Sequence, residues 1–101
     1  MVIAKWVQIR VIDKVISFEF IDKNGDTIGS RGITMDDNEI KEVFSKPFSE
    51  LYDSKFNGIE IPTELVGDED IMIKLGYRAY QEYLEALTAE QQQQNTIITL
   101  E

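Results

Sequence analysis

The 101-residue chain is 43% hydrophobic, enough for one core and too short for two, so a single domain over 1–101 is expected. Nineteen acidic against ten basic residues give a net charge of −9, which argues against a general binder of nucleic acid. Cysteine and histidine are both absent, which removes disulfides, thiolate chemistry, the usual general base and the commonest transition-metal ligand.

Residues 3–12 alternate loosely, with Trp6, Gln8 and Arg10 on one side and Val7, Ile9 and Val11 on the other. A strand follows, and its Val/Ile face is expected to be the buried one. Asp13-Lys14 breaks the pattern. Val15–Ile21 then repeats it, with Ile16, Phe18 and Phe20 inward. Asn24-Gly25, flanked by apolar residues, fits a type I′ turn and predicts an antiparallel hairpin continuing to about Ile33. Gly29 and Gly32 in that third strand point to a bulge, a bend or a close backbone approach.

Thr34-Met35-Asp36-Asp37 fits a capping box. Ile40, Val43, Phe44, Phe48, Leu51 and Tyr52 recur at helical spacing, which predicts an amphipathic helix kinked or divided at Pro47 and ended by Asn57-Gly58. Ile59-Glu60-Ile61 reads as a short strand stopped by Pro62, and 63–70 as an acidic connection. Residues 71–75 look strand-like and Gly76 punctuates them. Tyr77, Tyr80, Tyr83, Leu84 and Leu87 mark a second amphipathic helix, with Glu82 and Glu85 on its other side. Thr88 could start a new turn or continue that helix, and 96–100 is a β-branched segment suited to a terminal strand. The expected architecture is α+β: an antiparallel sheet opened by an N-terminal hairpin or meander, with two amphipathic helices on one face.

Charge is unevenly placed. Residues 1–35 hold five basic and four acidic groups, net +1, whereas 36–101 hold five basic and fifteen acidic groups, net −10. Such a layout suits either a surface that steers toward a basic partner or simple solubility. Asp22, Asn24 and Asp26 match the first positions of a calcium loop, but Thr27 and Ile33 stand where its glycine and glutamate belong. Asp68, Glu69 and Asp70, with Glu60 and Glu64 upstream, form the densest carboxylate group. Adjacent acids on a loop are ordinarily solvated, and no glycine-framed loop gathers them. No phosphate loop and no triad accompany them, so neither metal nor cofactor is expected and the chain is read as no enzyme. The tyrosine stripe reads as packing on the sheet, with an exposed docking face as the other option. Trp6 stands between a half-buried place under a helix and a binding anchor.

Without a catalytic constellation, recognition of another protein remains. The first expectation is a non-catalytic interaction or assembly protein, working through strand edges, residues 96–100 and the Trp6 face, and open to homo-oligomerisation. The alternative is an acidic inhibitor that mimics nucleic acid and blocks a nuclease or DNA-binding protein. Its carboxylates would come from 36–50, 60–70 and 82–90. The residues expected to touch a partner are Trp6, Arg10, Glu60, Glu64, Asp68, Glu69, Asp70, Glu82 and Glu85. In style the chain resembles small accessory proteins encoded by bacteriophages: short, without Cys or His, and rich in Ile, Lys, Asp and Asn. That resemblance implies a virion tail or head–tail component, or an anti-defence inhibitor. No run of eighteen apolar residues and no signal-peptide plan occurs, so the expected location is a host cytoplasm or a virion, with no direct contact to membrane or nucleic acid.

Overall fold

The computed structural model describes residues 2–47, 49 and 58–100, with side chains as far as 89. Four strands, β1 (Ile3–Arg10), β2 (Val15–Ile21), β3 (Thr27–Thr34) and β4 (Ile59–Glu60), form one sheet in the order β3-β2-β1-β4, with every neighbouring pair antiparallel. Among the described residues two helices, α1 (Asp37–Phe44) and α2 (Ile71–Leu100), pack on this sheet in an α+β fold. The core lies between them and one face of the sheet. It contains Ala4, Trp6, Ile16, Phe18, Phe20, Ile33, Met35, Val43, Met72, Leu75 and Ala79.

Up to Val7 the buried face of β1 is the reverse of the one its alternation suggests, whereas Ile9 packs inward as expected. Ala4 and Trp6 are inside, whereas Val7 and Val11 are exposed. The cause is a bulge at Val7: Trp6 pairs with Phe18, Gln8 pairs with Ser17, and Val7 is left without an opposite residue. One extra residue switches the side on which every later side chain falls. Ile9 therefore joins Ile16 and packs against the core despite lying three positions from Trp6.

Turn chemistry closes the β2–β3 hairpin, although not as a type I′ turn. Gly25 takes a positive φ of 87° while Asn24 does not. The Gly25 N–H donates to the Asp22 carbonyl, and Asp22 Oδ1 accepts from the N–H groups of Asn24 and Asp26. This is an aspartate-braced turn followed by a glycine in left-handed geometry, the three-residue hairpin plan. The same carboxylate that resembled a calcium ligand is engaged in holding the turn.

The start of α1 also differs from expectation. Asp36, not Thr34, caps α1: its side chain accepts from Glu39 N–H while Glu39 Oε1 accepts from Asp36 N–H. Thr34 still belongs to β3. At Pro47 a kink or a division is expected, and the helix stops at its cap Ser45, two residues before the proline, as a division requires. Phe48, Leu51, Tyr52 and Asn57 lie outside the described residues.

Residues 71–75 are helical rather than extended. Asp70 starts α2 by accepting from Met72 N–H, and the buried positions Ile71, Met72, Leu75 and Ala79 continue the tyrosine stripe upstream at helical spacing. Gly76 does not end the element. A Cβ there would come within 3.0 Å of Ile59 Cδ1, so the glycine lets the helix lie close to the sheet. Residues 96–100 extend α2 and form no strand, and Thr88 continues the helix, its hydroxyl donating to the Leu84 carbonyl.

Candidate protein-binding surface

Trp6 is 3% exposed and meets Phe18 edge-on at 6.4 Å between ring centres. Its indole belongs to the core beneath the helices, so it offers no anchor to a partner on the surface; the bulge at Val7 is the feature its alternation pattern conceals. Arg10 is exposed and pairs with Asp13 across the β1–β2 turn. Beside it, Ile12 at the turn's tip is 95% exposed.

The carboxylates expected to act together are dispersed. Glu60 is exposed in β4, at one edge of the sheet, whereas Glu82 reaches Arg31 of β3, next to the other edge. Glu85 is exposed on α2, and Glu64 and Asp68 are exposed in the 61–70 connection. Glu69 folds back on that connection, accepting from Val66 and Gly67 N–H, and these donors hold its carboxyl below the ordinary value. Asp70 caps α2 with one oxygen and meets the Lys46 ammonium with the other. Among the described residues no group of three or more acidic side chains is placed to hold a metal ion.

Much of the acidity thus has structural work in turns, caps and ion pairs. Lys14 pairs with Asp37, and Arg78 joins Glu39 to the Thr34 carbonyl. Asp37 holds the Lys14 ammonium above its ordinary pKa.

The tyrosine stripe packs inward. Tyr80 and Tyr83 lie 5.1 and 5.3 Å from Phe20 between ring centres, and the Tyr83 hydroxyl donates to the Ile28 carbonyl at 2.7 Å. Past these rings the helix face opens, with Leu84 and Leu87 each 37% exposed and Ile28 of β3 39% exposed.

β3 itself is the first strand of the sheet, and among the described residues nothing pairs with its outer edge. It carries neither Lys nor Pro, the residues that commonly block such an edge, and its single charge, Arg31, is bonded to Glu82. A bulge falls at Ile28, leaving Gly29 to Thr34 in regular register with β2.

No protein-family model, no curated protein and no solved structure matches this chain. Among the described residues no helix is long and apolar enough to cross a membrane.

Proposed function

We propose that this chain is a non-catalytic interaction or assembly protein, of the bacteriophage accessory kind its sequence style resembles, and that it acts by binding another protein through the edge of its sheet. The observation that carries this reading is the outer edge of β3, which among the described residues has no strand beside it and runs in regular register from Gly29 to Thr34. An unpaired strand presents a row of N–H and C=O groups, and native proteins that do not use such an edge ordinarily blunt it. Exposed Ile28, Leu84 and Leu87 beside it supply apolar contact.

The nucleic-acid mimic draws less support. It needs one continuous acidic face, whereas Glu60 and Glu82 stand toward opposite edges and Asp22, Asp36, Glu39, Glu69 and Asp70 bond backbone N–H groups of this chain. The test is cross-linking from single photoreactive residues placed at Ser30 and at Asp68 during capture from lysate. Adducts from Ser30 to a defined protein are expected. Adducts to a nuclease or DNA-binding protein from Asp68 alone would overturn the edge reading in favour of the mimic.

A further inference from the structure

We propose that β3 and the part of α2 beyond Tyr83 form a slot for one further strand, filled by an extended segment of a partner protein with alternating apolar and basic side chains. This rests on the protein-binding reading above and names the partner's chemistry.

The slot follows from how α2 crosses the sheet. Ala4 of β1, Phe20 of β2 and Gly29 of β3 stand opposite one another in a row across the strands. Along that row the helix meets each in turn. A Cβ on Gly76 would lie 3.5 Å from Ala4 Cβ, Tyr80 packs on Phe20, and Tyr83 lies against Gly29. Neighbouring strands are about 4.8 Å apart and a helix rises about 1.5 Å per residue, so roughly three residues of helix pass per strand. The next position on the same helix face is Leu87, and it falls where a strand beside β3 would run.

The half-exposure of Leu84 and Leu87 has the same explanation. Tyr80 and Tyr83 have sheet beneath them, whereas the leucines have passed its edge. A strand hydrogen-bonded to the regular stretch from Gly29 to Thr34 would bring its inward side chains under these leucines and complete the packing.

Two observations select the occupant. A second copy docking through its own β3 would bring its own α2 onto the face that Leu84 and Leu87 already overhang. It would also set a chain of net charge −9 against another. The occupant is therefore a bare extended segment. Its charge follows from the rim: Asp26 borders one end of β3, Asp36 follows the other, Glu85 is exposed on the overhanging helix, and the remaining charges there, Arg31 with Glu82 and Asp37 with Lys14, are already paired. Lysine or arginine at outward positions of the segment complements that rim.

The test uses the full chain and a ten-residue peptide of alternating valine and lysine, with a valine–glutamate peptide as control, followed by amide exchange and chemical shifts. The lysine peptide is expected to slow exchange at alternate amides of β3, those turned away from β2, and the glutamate peptide is expected to leave them unchanged. Leu87→Glu is expected to weaken binding at least about tenfold, and Leu87→Ala, which adds no charge, by a smaller factor. Equal binding of both peptides would overturn the charge assignment. Protection at another surface, or none with β3 amides exchanging freely, would overturn the slot. Cross-links to a partner at that other surface would leave the protein-binding reading standing, so the two failures are separable. Slowed β3 exchange that appears on raising the concentration of the protein alone, with a dimer in sedimentation, would assign the edge to a second copy.

Discussion

Tyr83 lies so close over Gly29 that a Cβ on the glycine would stand 2.4 Å from two carbons of the ring. The ring is held there, since its hydroxyl is bonded to the Ile28 carbonyl and it packs against Phe20 and Tyr80. Gly29 is in β3 because α2 comes down on it there.

Gly29→Ala is therefore expected to destabilise the fold by about 1–3 kcal/mol, the usual cost of forcing a methyl group into a packed site. Tyr83→Phe removes only the hydroxyl bond and is expected to cost about 1 kcal/mol. In a Tyr83→Ala background the alanine at position 29 meets no ring, so its penalty should vanish. Chemical denaturation of the four variants measures this coupling, and additive effects would mean that Tyr83 does not cover β3.

Trp6 allows a direct check on the buried face of β1. As the single tryptophan, 3% exposed, it is expected to emit at short wavelength and to resist quenching by acrylamide. Trp6→Ala is expected to cost about 3–5 kcal/mol, as for other large-to-small changes in a core. Deleting Val7 should cost far less, because without the bulged residue Ile9 stands two positions from Trp6 and keeps both its face and its pairing with Ile16. A readily quenched, long-wavelength indole would restore the alternation without a bulge.

The parts of this fold visible in the sequence are those fixed by local pattern. Alternation is plain in β2, where Ile16, Phe18 and Phe20 are all fully buried, and the hairpin after it is marked by Asn24-Gly25. The bulge at Val7 left no comparable mark, since Val7, Ile9 and Val11 looked like one apolar face and only pairing with β2 shows otherwise. Residues 71–75 misled for a related reason: a short run of Ile and Met suits a buried helix and a buried strand equally. The decisive signal was Asp70, a capping residue placed one position before the run. For the surface, sequence distinguished acidic residues from basic ones but not which carboxylates serve turns and caps. Asp70 and Glu69 look interchangeable in sequence. In the structure one starts a helix and the other closes a loop.

Glu39 ties the start of α1 to α2, accepting from Asp36 N–H through one oxygen and from Arg78 of α2 through the other. Asp36→Ala is expected to cost about 0.5–2 kcal/mol through loss of the cap. Arg78 also donates to the Thr34 carbonyl at the end of β3, so Arg78→Ala should loosen α2 from both α1 and the sheet. Since both changes remove a partner of Glu39, one from its backbone N–H and the other from its carboxylate, the double variant is expected to lose less or more than the sum by about 0.5 kcal/mol or greater. Strict additivity in thermal melts would separate the cap from the arginine.

Two shifted groups predict opposite pH dependences. The Glu69 carboxyl is held below its ordinary value of 4.5, chiefly by the Val66 and then the Gly67 N–H. A carboxyl lowered on folding binds its proton more readily in the unfolded chain, so its contribution is complete above pH 4.5 and is lost as acid reaches the folded value. Lys14 is raised above 10.5, first by its hydrogen bond to Asp37 and then by that residue's charge. Its contribution is complete below pH 10.5 and is lost as alkali passes the folded value. Both side chains face solvent, so each effect is a change of slope rather than a collapse. Melting temperatures of Glu69→Gln should therefore differ from those of the parent at neutral pH and converge with them in acid. Those of Lys14→Met should converge with the parent only in strong alkali. Parallel curves for Glu69→Gln through the acid range would mean that the 66–69 loop is not closed by its carboxylate in solution, and parallel curves for Lys14→Met in alkali would remove the tie between the β1–β2 turn and α1.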